Sequence, residues 1–456
     1  MIGDSVREAA PLPPVPAMPL RPARALSVQT LLRTVPTNSL AVLDDALFEE
    51  LIVFRRYLLQ PVVFVSDPAA IRHVLIDRFD DYPRLTSIRR LFETDLRTGS
   101  LASEGETWRR HRRVATPTID HRAIRPDVPG LIAIAEQMAD GLAAGPETVD
   151  IERWVGGLAT LLWNQVVTGG DPAGIPILRW LSKVPHKPRP IDLVPMPAWL
   201  ARHFVHHRRD PARAELDRQL HAMIAARKAP GFTGAPDLLH RLAHARDRQD
   251  GAPLPDDEVR DEAASLIAGG AASVRALTWI WYLLALHPEV EARFHAELDA
   301  VLGDRPPLPE DLPKLTYTRR VLDEVMRLYP PIPVILRQAA RADVVGGRRI
   351  RRGTFVAVLP WIVHRHRRLW QDPDRFDPDR FLDANAAGRP KLAYLPFAAG
   401  PRVCVGASFA VTQMLATIAV LGRRFRFRLA SDAPVVPFGA ISLQPKGGLP
   451  VRIERR

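Results

Sequence analysis

The chain holds one cysteine, Cys404, and the residues around it are the ones best equipped to do chemistry. They read Phe397-Ala398-Ala399-Gly400-Pro401-Arg402-Val403-Cys404-Val405-Gly406, and a long run of helical character follows. Gly400 permits a tight turn with unusual backbone angles. Cys404 then falls just before a helix N-terminus, where unpaired N–H groups and the helix dipole favour a thiolate. Gly406 lets something large approach the backbone closely. Arg402 can pair with an anionic group, and Phe397 offers a flat apolar surface. A single thiol excludes an intrachain disulfide and any multi-cysteine zinc or iron–sulfur centre. The plain alternative is a cysteine buried as a small hydrophobe. Against it, five specified positions coincide, which composition alone would produce on the order of 10⁻⁴ of the time.

A turn, a thiolate, an arginine and an aromatic describe a loop that holds a porphyrin iron from below, with Arg402 reaching a haem propionate. The segment resembles the haem-binding loop of the cytochrome P-450 superfamily, Phe-x-x-Gly-x-Arg-x-Cys-x-Gly. Three further segments resemble the same family, in the same order along the chain. Glu324 and Arg327 in Glu324-Val325-Met326-Arg327 share a helix face. With Arg380, in the acidic, Pro-rich stretch 372–381, they are similar to the family's buried structural triad, which pins a helix to a downstream loop. Trp108 and Arg112 lie four residues apart, so both point one way from a helix and both can donate to a propionate. The alternative for that pair is a solvated basic face with the tryptophan in the core. Arg337, after Pro330-Pro331-Ile332-Pro333-Val334-Ile335-Leu336, is similar to the family arginine that meets the other propionate from a strand. The resemblance covers roughly residues 60–455 and implies haem b, with Cys404 as the axial ligand of its iron.

The departure from the family lies in Ser265-Leu266-Ile267-Ala268-Gly269-Gly270-Ala271-Ala272-Ser273, which resembles the distal helix crossing over the iron. Two adjacent glycines inside a helix cost about 1 kcal/mol each relative to alanine and suggest a backbone bulge over the haem. The family carries an acid and a threonine here. Counting back from His287-Pro288 places Ala271 and Ala272 at those two positions, so both protic groups are absent. Ser273 is rotated about 100° further round the helix and should point away. In the family the pair orders the water that delivers protons for O–O cleavage. Ordered water on the bulge carbonyls, a substrate hydroxyl, hydrogen peroxide as oxidant, or a reaction without oxygen insertion could each answer its loss. Leu266, Ala268, Ala272, Val334 and Ile335 are candidates to line an apolar substrate pocket.

These residues need elements to position them. The helix-like segments are Trp108–Val114, Leu131–Leu142, Ile151–Val167, Ala212–Ala226, Asp257–Leu286, Val290–Val301, Thr316–Leu328 and Ala407–Arg424. Strand-like pieces are Val62–Val65, Phe355–Leu359 and Gly448–Ile453. Helices dominate and a few strands sit at the ends, which predicts a mainly α fold with small sheets, the haem between a long distal helix and the Cys404 loop. Residues 1–25, with six prolines after residue 10, are expected to be an irregular or extended lead-in. Residues 26–456 are expected to be a single catalytic domain.

Composition sets the remaining bounds. The 456 residues are 46% hydrophobic and 25% charged, an ordinary globular balance. The longest apolar stretch, Ala276–Leu286, is well short of the ~20 residues of a spanning helix, and MIGDSVREAA has no secretory h-region. A cytoplasmic protein without a transmembrane anchor is expected. The formal charge of +12 suits an acidic partner. No nucleic-acid module is recognisable, so Arg109, Arg113 and Arg424 are read as a basic face for an acidic ferredoxin, itself fed by a ferredoxin reductase. His203, His206 and His207 lack a carboxylate or cysteine at helical spacing and read as a solvated face, not a metal site. No Gly-x-Gly-x-x-Gly marks a built-in nicotinamide or flavin domain. The resemblance therefore implies a haem-thiolate monooxygenase that uses O2 and external electrons on a lipophilic small molecule. A peroxygenase, a substrate-assisted isomerase, or a haem protein that binds a ligand without turnover are the alternatives.

Overall fold

The computed structural model describes residues 14–456 apart from 36, 58, 183–210 and 440. Seven of its helices matter for the site. They are α1 (Gly105–Ile119), α2 (Val128–Ala144), α3 (Ile151–Thr168), α4 (Asp256–Gly270), α5 (Ser273–Leu286), α6 (Thr316–Leu328) and α7 (Ala407–Arg424). Their ends follow local chemistry. The Asp150 carboxylate caps α3 by accepting from the Glu152 N–H at 3.1 Å. Gly169 ends the same helix in the left-handed conformation, φ 66°. The first turn of α4 carries Asp256, Asp257 and Glu258, which oppose the positive end of the helix dipole.

The sheet that reaches the site has four strands: β1 (Ile52–Tyr57), β2 (Gln60–Val65), β3 (Ile335–Gln338) and β4 (Phe355–Val358), in the order β1-β2-β4-β3. β1 and β2 form an antiparallel hairpin, β2 runs parallel to β4, and β3 returns antiparallel with Arg337 opposite Val356. A smaller sheet of Thr148–Asp150, Pro450–Arg455 and Phe425–Leu429 ties the start of α3 to the end of the chain.

One large apolar cluster joins α1 to α7, and a second one, around Val63, Ile71, Val356 and Val363, backs the sheet. Residues 14–25 take no helix or strand, as the prolines require. Ala17 is nevertheless fixed, its N–H donating to the Tyr282 hydroxyl at 3.3 Å and its carbonyl accepting from Tyr329 at 2.8 Å. The earlier part of the lead-in and His203, His206 and His207 lie outside the described residues. Asp257–Leu286, expected as one helix with a bulge, is two helices separated at Ala271 and Ala272. The joined span 256–286 is long and apolar enough to cross a membrane by length and composition. In its apolar window, however, 67% is buried inside the fold, the pattern of a core helix.

Candidate active site

Cys404 sits at the end of a loop bent by two left-handed residues, Ala398 at φ 62° and Gly400 at φ 75°. A side chain at 400 is excluded twice over, because a Cβ there would stand 2.1 Å from the Leu75 carbonyl oxygen. The Cys404 N–H donates to the Phe397 carbonyl at 2.9 Å and the Val403 N–H to that of Gly400 at 2.9 Å, which closes the loop on itself. Gly406 then opens α7, its carbonyl accepting from Ala410 at 2.8 Å. A Cβ at Gly406 would meet only Ile119, at 3.9 Å, so the open side of this glycine is not claimed by the polypeptide. Cys404 keeps accessible surface although many protein atoms lie around it, so the thiol is open to a ligand. Burial pushes the thiol pKa up, while the Gly406 N–H and the Arg112 guanidinium oppose that shift.

Around this thiol the positive charges outnumber their partners. Arg337, 8% exposed on β3, donates only to the adjacent Leu336 carbonyl at 3.1 Å and has no acidic partner among the described residues. Burial, then repulsion from Arg84, lowers its pKa to about 10. Arg402 lies 4.0 Å over the Trp108 ring and pairs with Glu104. Burial, then Arg84, brings its pKa down to about 9. Arg84 takes the other Glu104 oxygen at 3.0 Å and three backbone carbonyls, those of Ser100, Leu101 and Ser103. Three guanidiniums thus have one carboxylate between them, an excess of two positive charges. Arg112, on the same face of α1 as Trp108, has no side-chain partner among the described residues and feels the Cys404 sulfur and Glu262. A dianionic group with a flat apolar body fits this donor set, and haem with its two propionates is such a group.

The distal side is built by the gap between α4 and α5. There the hydrogen-bond ladder shortens. The Ala272 N–H reaches the Gly269 carbonyl at 3.2 Å and the Arg275 N–H reaches that of Ala272 at 3.1 Å. Ser273 turns its hydroxyl back to the Gly270 carbonyl at 3.0 Å, as its rotation predicts. The two glycines differ in kind. Gly269 is exposed to interior space, with no atom near a would-be Cβ. Gly270 faces the other way, where a Cβ would stand 2.0 Å from the Trp163 ring. Trp163 meets Phe409 of α7 edge-on at 4.8 Å, so an aromatic layer links the gap to the helix that follows Cys404. The expectation that both glycines make room over a haem is therefore corrected for Gly270.

The scaffold residues come together as the resemblance implies. Glu324, Arg327 and Arg380 are buried. Arg327 donates to both Glu324 oxygens at 2.6 and 2.8 Å, and Arg380 donates at 3.1 Å. Their remaining donors hold the carbonyls of His364, Gln371, Asp372, Pro373 and Arg375, which fixes the stretch leading into the cysteine loop.

Other expectations need correcting. Leu266 and Ile335 are buried within the two cores, because a run of apolar residues does not say which face turns outward. Ala268, Ala272 and Val334 keep partial exposure. Arg424 closes the far end of α7, about 26 Å from its first turn by the helical rise. There it pairs with Glu136 and Asp140, so it is not part of a face around Cys404. Arg109 pairs with Asp80, and Arg113 with Asp247 and Glu106, so that run is largely neutralised. Sequence reasoning missed Glu104, Arg84 and Trp163, none of which belongs to a local pattern.

A fold of this architecture around a single-cysteine loop defines a haem-thiolate class, and the comparisons agree. The family model for cytochrome P450 matches residues 37–449, so the chain belongs to the cytochrome P450 family, whose cofactor is haem. The chain is 39% identical over 222 residues to cyclooctat-9-en-7-ol 5-monooxygenase of Streptomyces melanosporofaciens, a match covering 48% of each chain. It is 36% identical over 225 residues to pentalenene oxygenase of Streptomyces avermitilis, covering 49% of this chain and 50% of that one. The matches thus span about half the length of these curated relatives. A crystal structure of the cytochrome P450DA haem domain superposes with a TM-score of 0.76 at 21% identity, over 97% of this chain and 98% of that one.

Proposed function

We propose that this chain, from residue 26 onward, is a haem-thiolate monooxygenase that oxidises a lipophilic small molecule of the terpenoid class. The observation that carries the reading is the accessible Cys404 beside arginines that hold two more positive charges than the described residues neutralise. Bound haem supplies one-electron and dioxygen chemistry at its iron. Cys404 would hold that iron. Trp108, Arg112, Arg337 and Arg402 would hold the propionates, while Phe397 and the bare backbone of Gly406 receive the ring from the cysteine side. Arg112 favours the ionised sulfur. Glu324, Arg327 and Arg380 keep the cysteine loop in place and touch no reactant.

On the distal side the partly exposed Ala268, Ala272 and Val334 would form a small apolar wall that excludes water from a hydrocarbon substrate. Both named relatives are oxygenases of terpenoid substrates, cyclooctat-9-en-7-ol and pentalenene, which supports the terpenoid class. Ala271 and Ala272 carry no exchangeable proton, so protons must come from water, from a substrate hydroxyl or with hydrogen peroxide. Electrons are assigned to an external ferredoxin. Its docking face would rest on few free cations, given the pairing of Arg109 and Arg113.

Two measurements test the reading. The reduced protein under carbon monoxide should show the red-shifted Soret band of a thiolate-ligated haem, and Cys404→Ser should abolish it. No other cysteine can substitute, so a retained band overturns the ligand assignment. Terpene hydrocarbons and alcohols should then shift the ferric Soret band. A panel that leaves it unmoved, while fatty acids shift it, would move the substrate class.

A further inference from the structure

The residue at the family's acid position does not face a packed core. Ala271 lines a cavity of about 420 Å³ on the far side of the distal helices, together with Glu152, Arg153, Thr160, Trp163 and Arg275. At roughly 30 Å³ per molecule that is room for about a dozen waters. Helical geometry separates the two sides of the gap. Gly269 and Ala272, three residues apart, share the face that opens to the interior. Ala271 and Arg275, four apart, share the face on this cavity.

The cavity holds a carboxylate. Glu152, in the first turn of α3, pairs with Arg275, in the first turn of α5, and the two side chains are only 17% and 12% exposed. Arg153 is exposed at the outer edge, so the lining runs from the surface past Glu152 to Ala271. The Nε of Arg275 and the Nε1 of Trp163 are buried and have no acceptor among the described residues, although both residues line this cavity. Buried donors of this kind are satisfied by ordered water.

We propose that this cavity is a proton inlet in which Glu152, steered by Arg275, passes protons through cavity water to the open turn at Ala271–Ala272. It does from α3 what a side chain at position 271 cannot. Each transfer takes one proton from solvent onto the Glu152 carboxylate, hands one to the water chain and restores the carboxylate. No electron moves. Burial raises the Glu152 pKa above the usual carboxylate range, with Arg275 opposing and Asp150 adding to the shift, which makes the acid form easier to reach. Asp150, Arg153 and Arg275 are the other charged groups on the lining. Glu152 acts through water and is a positioning residue for protons. The inference rests on the haem-thiolate reading above.

The test uses the full chain loaded with haem, reduced and bound to carbon monoxide. Photolysis of the carbonyl should produce an infrared difference band from the Glu152 carboxyl that shifts in D2O, moves in Glu152→Asp and vanishes in Glu152→Gln. Glu152→Gln could strand the Arg275 charge, so Glu152→Gln/Arg275→Gln is measured beside it, with circular dichroism and melting of both. A folded protein with the thiolate-type carbonyl band but no Glu152-dependent infrared band overturns the proton inlet and leaves the haem-thiolate reading standing. Absence of the thiolate-type band in the wild type overturns both. With a terpene that shifts the Soret band, Glu152→Gln should slow product formation by roughly 10²-fold at unchanged KM, with the consumed oxygen appearing as hydrogen peroxide. Ala271→Asp added to it should restore the rate. Full activity of Glu152→Gln overturns the proposal and points to a relay through the substrate hydroxyl.

Discussion

Replacing Glu324 by alanine tests the scaffold most directly. Its carboxylate accepts four hydrogen bonds: two from Arg327, one from Arg380 and one from the Asp377 N–H at 2.9 Å. Arg327 spends its other donors on the carbonyls of His364, Pro373 and Arg375, so it cannot turn elsewhere when the carboxylate goes. Glu324→Ala leaves two buried guanidiniums without a counter-charge, which costs about 3–5 kcal/mol. Glu324→Gln keeps one acceptor oxygen and should cost about half as much. For a chain of this length the unfolding entropy is roughly 1 kcal/mol per kelvin, so even about 4 kcal/mol lowers the melting temperature by only about 4 °C. Urea midpoints and the haem-to-protein ratio are therefore the better assays. We expect the alanine variant to unfold at lower urea and to retain little haem, because the network fixes the carbonyls of His364 and of Gln371 to Arg375 in the segment upstream of the Cys404 loop. An unchanged midpoint with full haem content would refute the argument that these charges are buried and coupled.

Arg337→Met removes a buried cation with no acidic partner among the described residues. It should stabilise the haem-free chain by about 1–3 kcal/mol in urea titration, yet weaken haem retention; a loss of both would show that Arg337 is compensated within the protein. His364 accepts from the Leu395 N–H at 2.9 Å and donates from Nδ1 to the Arg327 carbonyl at 3.2 Å, and burial, then Arg327, pushes its pKa down to about 3. Only the unfolded state then takes up a proton below pH 6.5. Stability is therefore complete above that pH and falls by about 1.4 kcal/mol per unit beneath it, a slope that His364→Gln should remove. Gly270→Ala drives a methyl into Trp163, whereas Gly269→Ala meets nothing. The first should cost about 1–3 kcal/mol and the second should be neutral or stabilising by about 1 kcal/mol; equal effects on melting would contradict the opposite facings of the two glycines.

Much of the scaffold was legible because it is written in local patterns. Thr316–Leu328 and Ala407–Arg424 match their predicted limits, and Ile151–Val167 differs by one residue, since Asp150 and Gly169 mark its ends chemically. The Glu324–Arg327 pair and the cysteine loop were legible because their members fall at spacings that a helix or turn makes meaningful, whereas Arg380 entered only through the resemblance to the family. Glu104 was not legible, because its partners Arg84 and Arg402 lie 20 and 298 residues away, at no helical or turn spacing, and only the fold brings them together. Trp163 and Glu152 were hidden for the same reason. Leu266 and Ile335 were read as pocket lining but are buried within the two cores, because an apolar residue signals burial without saying against what.

The gap in the distal helix has causes that do not depend on the side chains at 271 and 272. Two successive glycines weaken the helix by about 1 kcal/mol each. Trp163 occupies the space a side chain at 270 would need, which holds that turn against α3. The Ser273 hydroxyl then takes the Gly270 carbonyl and starts the next helix one residue beyond the pair. Ala271 and Ala272 are spectators of this geometry, both with ordinary right-handed backbone angles. The opening therefore rests on the backbone, Trp163 and Ser273 and needs no functional side chain at 271 or 272. The same opening now has the Glu152–Arg275 pair on the cavity beside it. Restoring a carboxylate at 271 would change where protons come from without remaking the helix, so backbone and proton supply can be altered separately in this chain.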